Sequence, residues 1–142
     1  MRKRLLYGAA LVLLGIRPAA AQEERHGAPD CGSDRRRLAF HGGRLEVVGL
    51  TSDQRLVCFG EERPDRTREI GEVTGLLGDT RLVGIDFRPA TGELYGLGDA
   101  GGLYTIDVST AEATPKATLS VPLEGTAFGV DFNPTVDRLR VV

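Results

Sequence analysis

From Leu38 onward the chain is a succession of short apolar runs separated by turn residues. Residues 44–50 predict a strand, 51–54 a turn and 55–59 a second strand, followed by a charged loop over 61–68 and a strand over 69–73. Only the stretch 5–16 is continuously apolar, and no window after it spaces its apolar positions with helical period. Short strands at intervals of roughly 8–12 residues, punctuated by Gly and Pro, predict an all-β fold.

The pattern repeats. Residues 84–97 return as 129–142 without a gap, a period of 45 residues. Gly49, Leu50 and Leu56 match Gly96, Leu97 and Leu103 at an offset of 47. The complete unit reads as four strands, at 84–87, 94–97, 103–108 and 113–121. Several short strands per repeat at a period of about 40–45 residues are the signature of propeller blades. The expected fold is all-β, with β-propeller-like repeats of four short antiparallel strands and about two to two and a half units present.

Within the repeat, alternation sends Ile85 and Phe87 to one face and Gly84, Asp86 and Arg88 to the other. Pro89 has no N–H for a ladder, so it ends the first strand and presets a turn. Gly92 suits the left-handed position that closes a short hairpin. Asp137 holds the same place in the second copy, and Asp tolerates that conformation better than most residues.

Ahead of the repeats, Arg2-Lys3-Arg4, the apolar stretch and Ala19-Ala20-Ala21 form the three parts of a secretory signal peptide, with cleavage expected after Ala21. Arg17 interrupts the apolar run well short of the roughly 20 residues a membrane helix needs. Residues 1–21 are therefore read as a signal peptide, 22–37 as a polar, disordered leader containing Arg35-Arg36-Arg37, and 38–142 as a partial repeat domain. The destination is the periplasm or the exterior.

Cleavage would remove four of the 18 basic residues and none of the 20 acids, leaving a formal charge of −6. That sign disfavours nucleic acid as a partner. In an oxidising compartment, Cys31 and Cys58 either pair or remain separate, Cys58 then being an inert buried thiol on its strand.

Candidate chemistry is sparse. Asp86 and Asp131 occupy equivalent places on first strands, which in a propeller line the central channel. They could hold a cation or polarise a substrate there, helped by Arg88 and Asn133, or they could fix the spacing between units. Asp137 and Arg138 carry the same two readings. The run from Gly96 to Gly101 matches the letters of a dinucleotide loop, but a strand rather than a helix follows it, so it reads as a hairpin loop. Pro134 disqualifies Asn133 as a glycosylation acceptor. His26 and His41 lack ligand-spaced partners for zinc, and Ser33, Ser52, Ser109 and Ser120 have no neighbouring base, so neither zinc nor nucleophilic catalysis is expected.

Residues 81–97 and 125–142 resemble the bacterial family called domain of unknown function 4394, and the likeness runs from about Glu46 to Val142. The resemblance implies an exported, propeller-like protein without an established activity and a domain continuing past Val142. A closed propeller needs at least four blades, so a truncated chain is expected, with obligate assembly as the alternative and self-association through an open strand edge.

The expected function is a binding or interaction module for an envelope or extracellular ligand. The alternatives are a propeller-type lactonase or hydrolase with a channel metal, and a structural or adhesive surface protein. An enzyme is the less favoured class, and no cofactor is expected.

Overall fold

The computed structural model describes residues 46–142. The expected signal peptide and leader, Cys31, His26, His41 and the expected start of the repeat domain at 38–45 lie outside the described residues. Among the described residues there are nine strands and no helix, hence none long and apolar enough to cross a membrane.

The strands form three antiparallel sheets. The first contains β1 (Glu46–Leu50), β2 (Arg55–Gly60) and β3 (Arg68–Glu72), in that spatial order. The second contains β4 (Leu82–Phe87), β5 (Leu94–Gly98), β6 (Gly102–Ile106) and β7 (Ala113–Thr118). The third is the hairpin of β8 (Val130–Asn133) and β9 (Arg138–Val141). Within each sheet, every strand lies beside its neighbours in sequence, as hairpin-linked antiparallel strands should.

Strand boundaries depart from expectation at several ends, with β4 beginning at Leu82, two residues before the expected 84, and the ends of β6 and β7 falling short. β6 stops at Ile106 because Asp107 turns the chain: its carbonyl accepts from Ala111 N at 2.8 Å and its carboxylate from Ser109 N at 2.8 Å. β7 stops at Thr118 rather than residue 121, with Leu119 N donating instead to Gly101 O at 2.8 Å. Pro115 lies on β7, the outermost strand, where its missing N–H leaves no central ladder broken.

The repeated hairpins share one backbone design. Gly92 N donates to Arg88 O at 2.8 Å, and Asp137 N donates to Asn133 O at 2.9 Å. Gly92 has φ 70° and Asp137 φ 49°, so both take the left-handed conformation expected of them. Phe87 then pairs with Leu94 and Phe132 with Leu139, in equivalent register.

The principal core lies between the first two sheets. Leu56 is fully buried there with Leu82, Leu94, Tyr104 and Ile106, and Val48, Leu50, Ile85 and Phe87 pack around them. Burying a Leu or Ile side chain contributes roughly 1.5–3 kcal/mol, so this layer dominates the stability of the described part. Backbone also joins the sheets. Ala113 N donates to Thr74 O at 2.8 Å and Thr74 N to Ala111 O at 3.3 Å, a parallel bridge between the chain after β3 and the start of β7. The other face of the second sheet receives β8, where Val130 packs over Gly84. A methyl group at Gly84 would overlap the Val130 side chain, which explains the glycine. Cys58 is fully buried and is not a free thiol.

Candidate functional site

Asp86 sits on the face of β4 opposite Ile85 and Phe87, where strand alternation places it against the third sheet. One carboxylate oxygen accepts from Phe87 N at 2.9 Å, and the other accepts from Phe132 N at 2.6 Å. The second bond crosses from β4 to β8. Beside it the Tyr95 and Phe132 rings meet edge to face, centroids 5.2 Å apart and planes at 67°.

Two residues further along, Arg88 closes the same seam. Its Nε donates to Asp137 Oδ1 at 2.9 Å and its Nη2 donates to Oδ2 of the same carboxylate, a bidentate fork. The fork holds the Asp137 carboxyl below its ordinary value and, with help from Tyr95, raises the Arg88 guanidinium. Asp86, Arg88 and Asp137 thus come together as a clamp between successive sheets.

Asp131, Asn133 and Arg138 lie on the opposite side of the β8–β9 hairpin. Asp131 is exposed and pairs with Arg140 across the strands. Asn133 Oδ1 accepts from Thr135 N at 2.9 Å and Val136 N at 3.4 Å, fixing its own turn. Arg138 is exposed beside it. Asp86 and Asp131, the channel candidates, therefore face opposite sides of β8 and engage separate partners. Among the described residues no group of three His, Cys, Asp or Glu is placed to hold a metal ion.

Two interlocking aspartates escape a reading by sequence alone. Asp79 accepts from Ala100 N and from the Tyr104 hydroxyl, and its carboxylate occupies the space where Gly98 or Gly102 would carry a Cβ. Asp99 reaches back to accept from Thr80 N at 2.8 Å and from the Thr80 hydroxyl, and these bonds hold its carboxyl below the ordinary value. Burial, reinforced by the Asp79 hydrogen bond, raises the Tyr104 hydroxyl. The glycines around the β5–β6 turn therefore seat a carboxylate from the same chain. Their crowding was the signal available in sequence, without the partner.

Gln54 is a further joint. Its side-chain amide donates to Leu82 O at 3.2 Å while its carbonyl accepts from Leu82 N at 2.7 Å. It adopts φ 63°, and Gly101, at the offset of 47 residues, has φ 92°. Recurrence of the turn was legible there, but the fork on Leu82 was not.

Away from these joints an open groove of about 470 Å³ runs over β5, β6 and β7 near the β4–β5 turn. Glu93, Thr105, Asp107, Thr114 and Lys116 line it, with Gly92 at its rim. By strand alternation Thr105 points away from the Leu94–Ile106 core face. With Thr91 also on its wall, the lining offers two carboxylates, an ammonium and three hydroxyls, a set suited to polar ligands carrying several hydrogen-bonding groups.

Small antiparallel sheets packed in succession, with one hairpin design recurring and its polar residues clamping sheet to sheet, define an all-β protein of repeated hairpins. The chain belongs to the family described as Domain of unknown function (DUF4394), which matches residues 55–142. That match starts at β2 and leaves β1 outside it. No curated protein and no solved structure matches the chain.

Proposed function

We propose that this is an exported, β-propeller-like binding module whose ligand lies in the groove over β5–β7. The observation carrying this reading is a division of labour among the polar residues. Asp86, Arg88 and Asp137 hold sheets together, whereas Glu93, Asp107 and Lys116 border an open concave surface. A carbohydrate or another multiply hydroxylated envelope component fits the mixture of carboxylates, hydroxyls and one ammonium. The amino-terminal pattern supports export, with Gln22 as the mature amino terminus.

Immobilised mature protein is expected to retain a glycan or cell-envelope component from a defined panel. Lys116→Glu and Thr105→Arg should weaken retention about tenfold or more without moving Tm, since neither residue contributes to the core. An empty panel, or a ligand whose affinity ignores both substitutions, would overturn the assignment to this groove.

A further inference from the structure

Resting on that reading of the groove, we propose that its ligand is an acidic saccharide, one carboxylate seated on Lys116 and neutral hydroxyls towards Glu93 and Asp107. The argument begins with a β-bulge that recurs in the repeat. Between β2 and β3, Leu56 pairs with Gly71 and Val57 with Glu69, so Ile70 is the extra residue. Between β6 and β7, Leu103 pairs with Ala117 and Tyr104 with Pro115, so Lys116 is the extra residue. Leu56 and Leu103 stand at the offset of 47, and the two bulges are one feature met twice. A bulge re-aims the side chain it carries.

What the two bulges carry differs in kind. In the first sheet Ile70 packs against the core between the first two sheets, and Cys58, on the neighbouring strand, is fully buried. In the second sheet the corresponding places hold Lys116 and Thr105, and both line the groove. Leu50 and Leu56 return unchanged as Leu97 and Leu103, so the replacement is local. An apolar layer laid over Lys116 and Thr105, as in the first seam, would bury an ammonium and a hydroxyl without partners, which is costly. The positions that pack dry in the first sheet are rebuilt for polar contact in the second.

Order along the strands then sets the ligand. Leu94 pairs with Ile106, which puts Glu93 next to Asp107 at one end of the groove. Thr105 pairs with Thr114 in the middle, and Lys116 follows beyond Pro115. At a rise of about 3.4 Å per residue, the backbone of the acidic end and that of Lys116 stand roughly 10 Å apart, farther than one pyranose ring reaches.

Carboxylates only accept hydrogen bonds and an ammonium only donates them, while threonine hydroxyls do both. The ligand must accordingly present O–H donors to Glu93 and Asp107 and an acceptor to Lys116. Asp107 is already directed by Ser109, whose N–H donates to its Oδ1 at 2.8 Å. A charged acceptor strengthens the bond from Lys116. Two carboxylates against one ammonium nevertheless leave a second negative charge on the ligand uncompensated. One carboxylate per ligand follows, which a disaccharide of one hexuronic acid and one neutral hexose supplies.

Calorimetric titration of the full chain with such disaccharides of differing linkage tests this, each beside the neutral sugar made by reducing its carboxylate to an alcohol. At least one acid is expected to bind about tenfold or more tighter than its reduced form, as a hydrogen bond to a charged group provides. Lys116→Met keeps the length of the side chain without its charge. It should bring the acid down to the affinity of the reduced sugar and leave the latter unchanged. Lys116→Arg should keep most of the preference. Thr105→Leu crowds the middle of the groove and should weaken both sugars alike.

That last variant separates the two readings. Equal binding of acid and reduced sugar, weakened by Thr105→Leu, would overturn the proposal and leave the groove as a ligand site. Binding that ignores Thr105→Leu would overturn both. A preference for the acid that survives in Lys116→Met, or failure of every disaccharide to bind, would also overturn the proposal.

Discussion

At the scale of single residues, two carboxylates do much to set the response to acid. The Arg88 fork lowers the Asp137 pKa in the folded protein below its ordinary value of 3.8. A depressed folded pKa contributes stability that is complete above the unfolded value and is lost as pH falls through the folded one. Thermal unfolding measured between pH 6 and 2 should show Tm declining below about pH 4. Asp137→Asn should have a lower Tm near neutrality and a shallower acid limb. Part of the decline should remain, because Asp99 is lowered by Thr80 in the same way. Identical acid limbs in variant and wild type would show that the fork does not persist in solution.

The glycines that seat Asp79 make a second residue-scale prediction. Gly98→Ala puts a methyl group onto that carboxylate and should destabilise by about 1–3 kcal/mol in urea unfolding, the usual range for overpacking. Asp79→Ala in the same chain should recover part of the loss, because the collision is removed together with the hydrogen bonds. A double-mutant cycle reads the coupling directly, and strictly additive losses would contradict the contact.

At the scale of elements, the Asp86 bond to Phe132 N joins strands from different sheets. Asp86→Ala should destabilise by roughly 1.5–3 kcal/mol, as expected for a hydrogen bond to a charged group whose donor is left without that partner. Asp86→Asn, which keeps an acceptor oxygen, should lose less. Chemical unfolding of both variants distinguishes this role from a metal-binding one. A ligand-binding carboxylate would leave apo stability unchanged or higher when neutralised.

Much of this element was legible in the sequence. Period-two alternation separated Ile85 and Phe87 from Asp86, while Pro89, Gly92 and Asp137 marked the turns. The far end of the Asp86 bond was not legible, because its partner is a backbone N–H and every residue except proline has one. The Asp79–Tyr104 contact was hidden for another reason. It joins positions 25 apart through a fold-dependent approach, and neither residue advertises the other. The groove was likewise invisible, since it depends on which half of a sheet the next hairpin leaves uncovered.

At the scale of the whole molecule, successive contacts between sheets should make stability a local affair, as in stacked repeats. Phe132→Ala removes an aromatic side chain from the seam between the second and third sheets, and such truncations typically cost 3–5 kcal/mol when the side chain is buried. Hydrogen exchange should show the greatest loss of protection in β8, β9 and β4, with β1–β3 nearly unaffected. Uniform loss across all nine strands would indicate a single cooperative unit instead. The other whole-chain expectation concerns the cysteines. We propose that Cys58 pairs with Cys31, and peptide mapping of the protein purified without reductant should recover the two in one linked peptide; recovery of either as a separate peptide would refute the pairing.

The Gln54 fork sets the first seam apart from the second in a way that reaches beyond geometry. A neutral amide gives one proton and takes another at Leu82, so no net charge holds that joint and neither added salt nor moderate acid should loosen it. The joint between the second and third sheets depends on a guanidinium and a carboxylate that remain partly open to water, where ions screen and protons compete. One molecule thus carries a seam indifferent to its medium and a seam that senses it. An acidic or saline environment should therefore weaken the joint between the second and third sheets before the one between the first two.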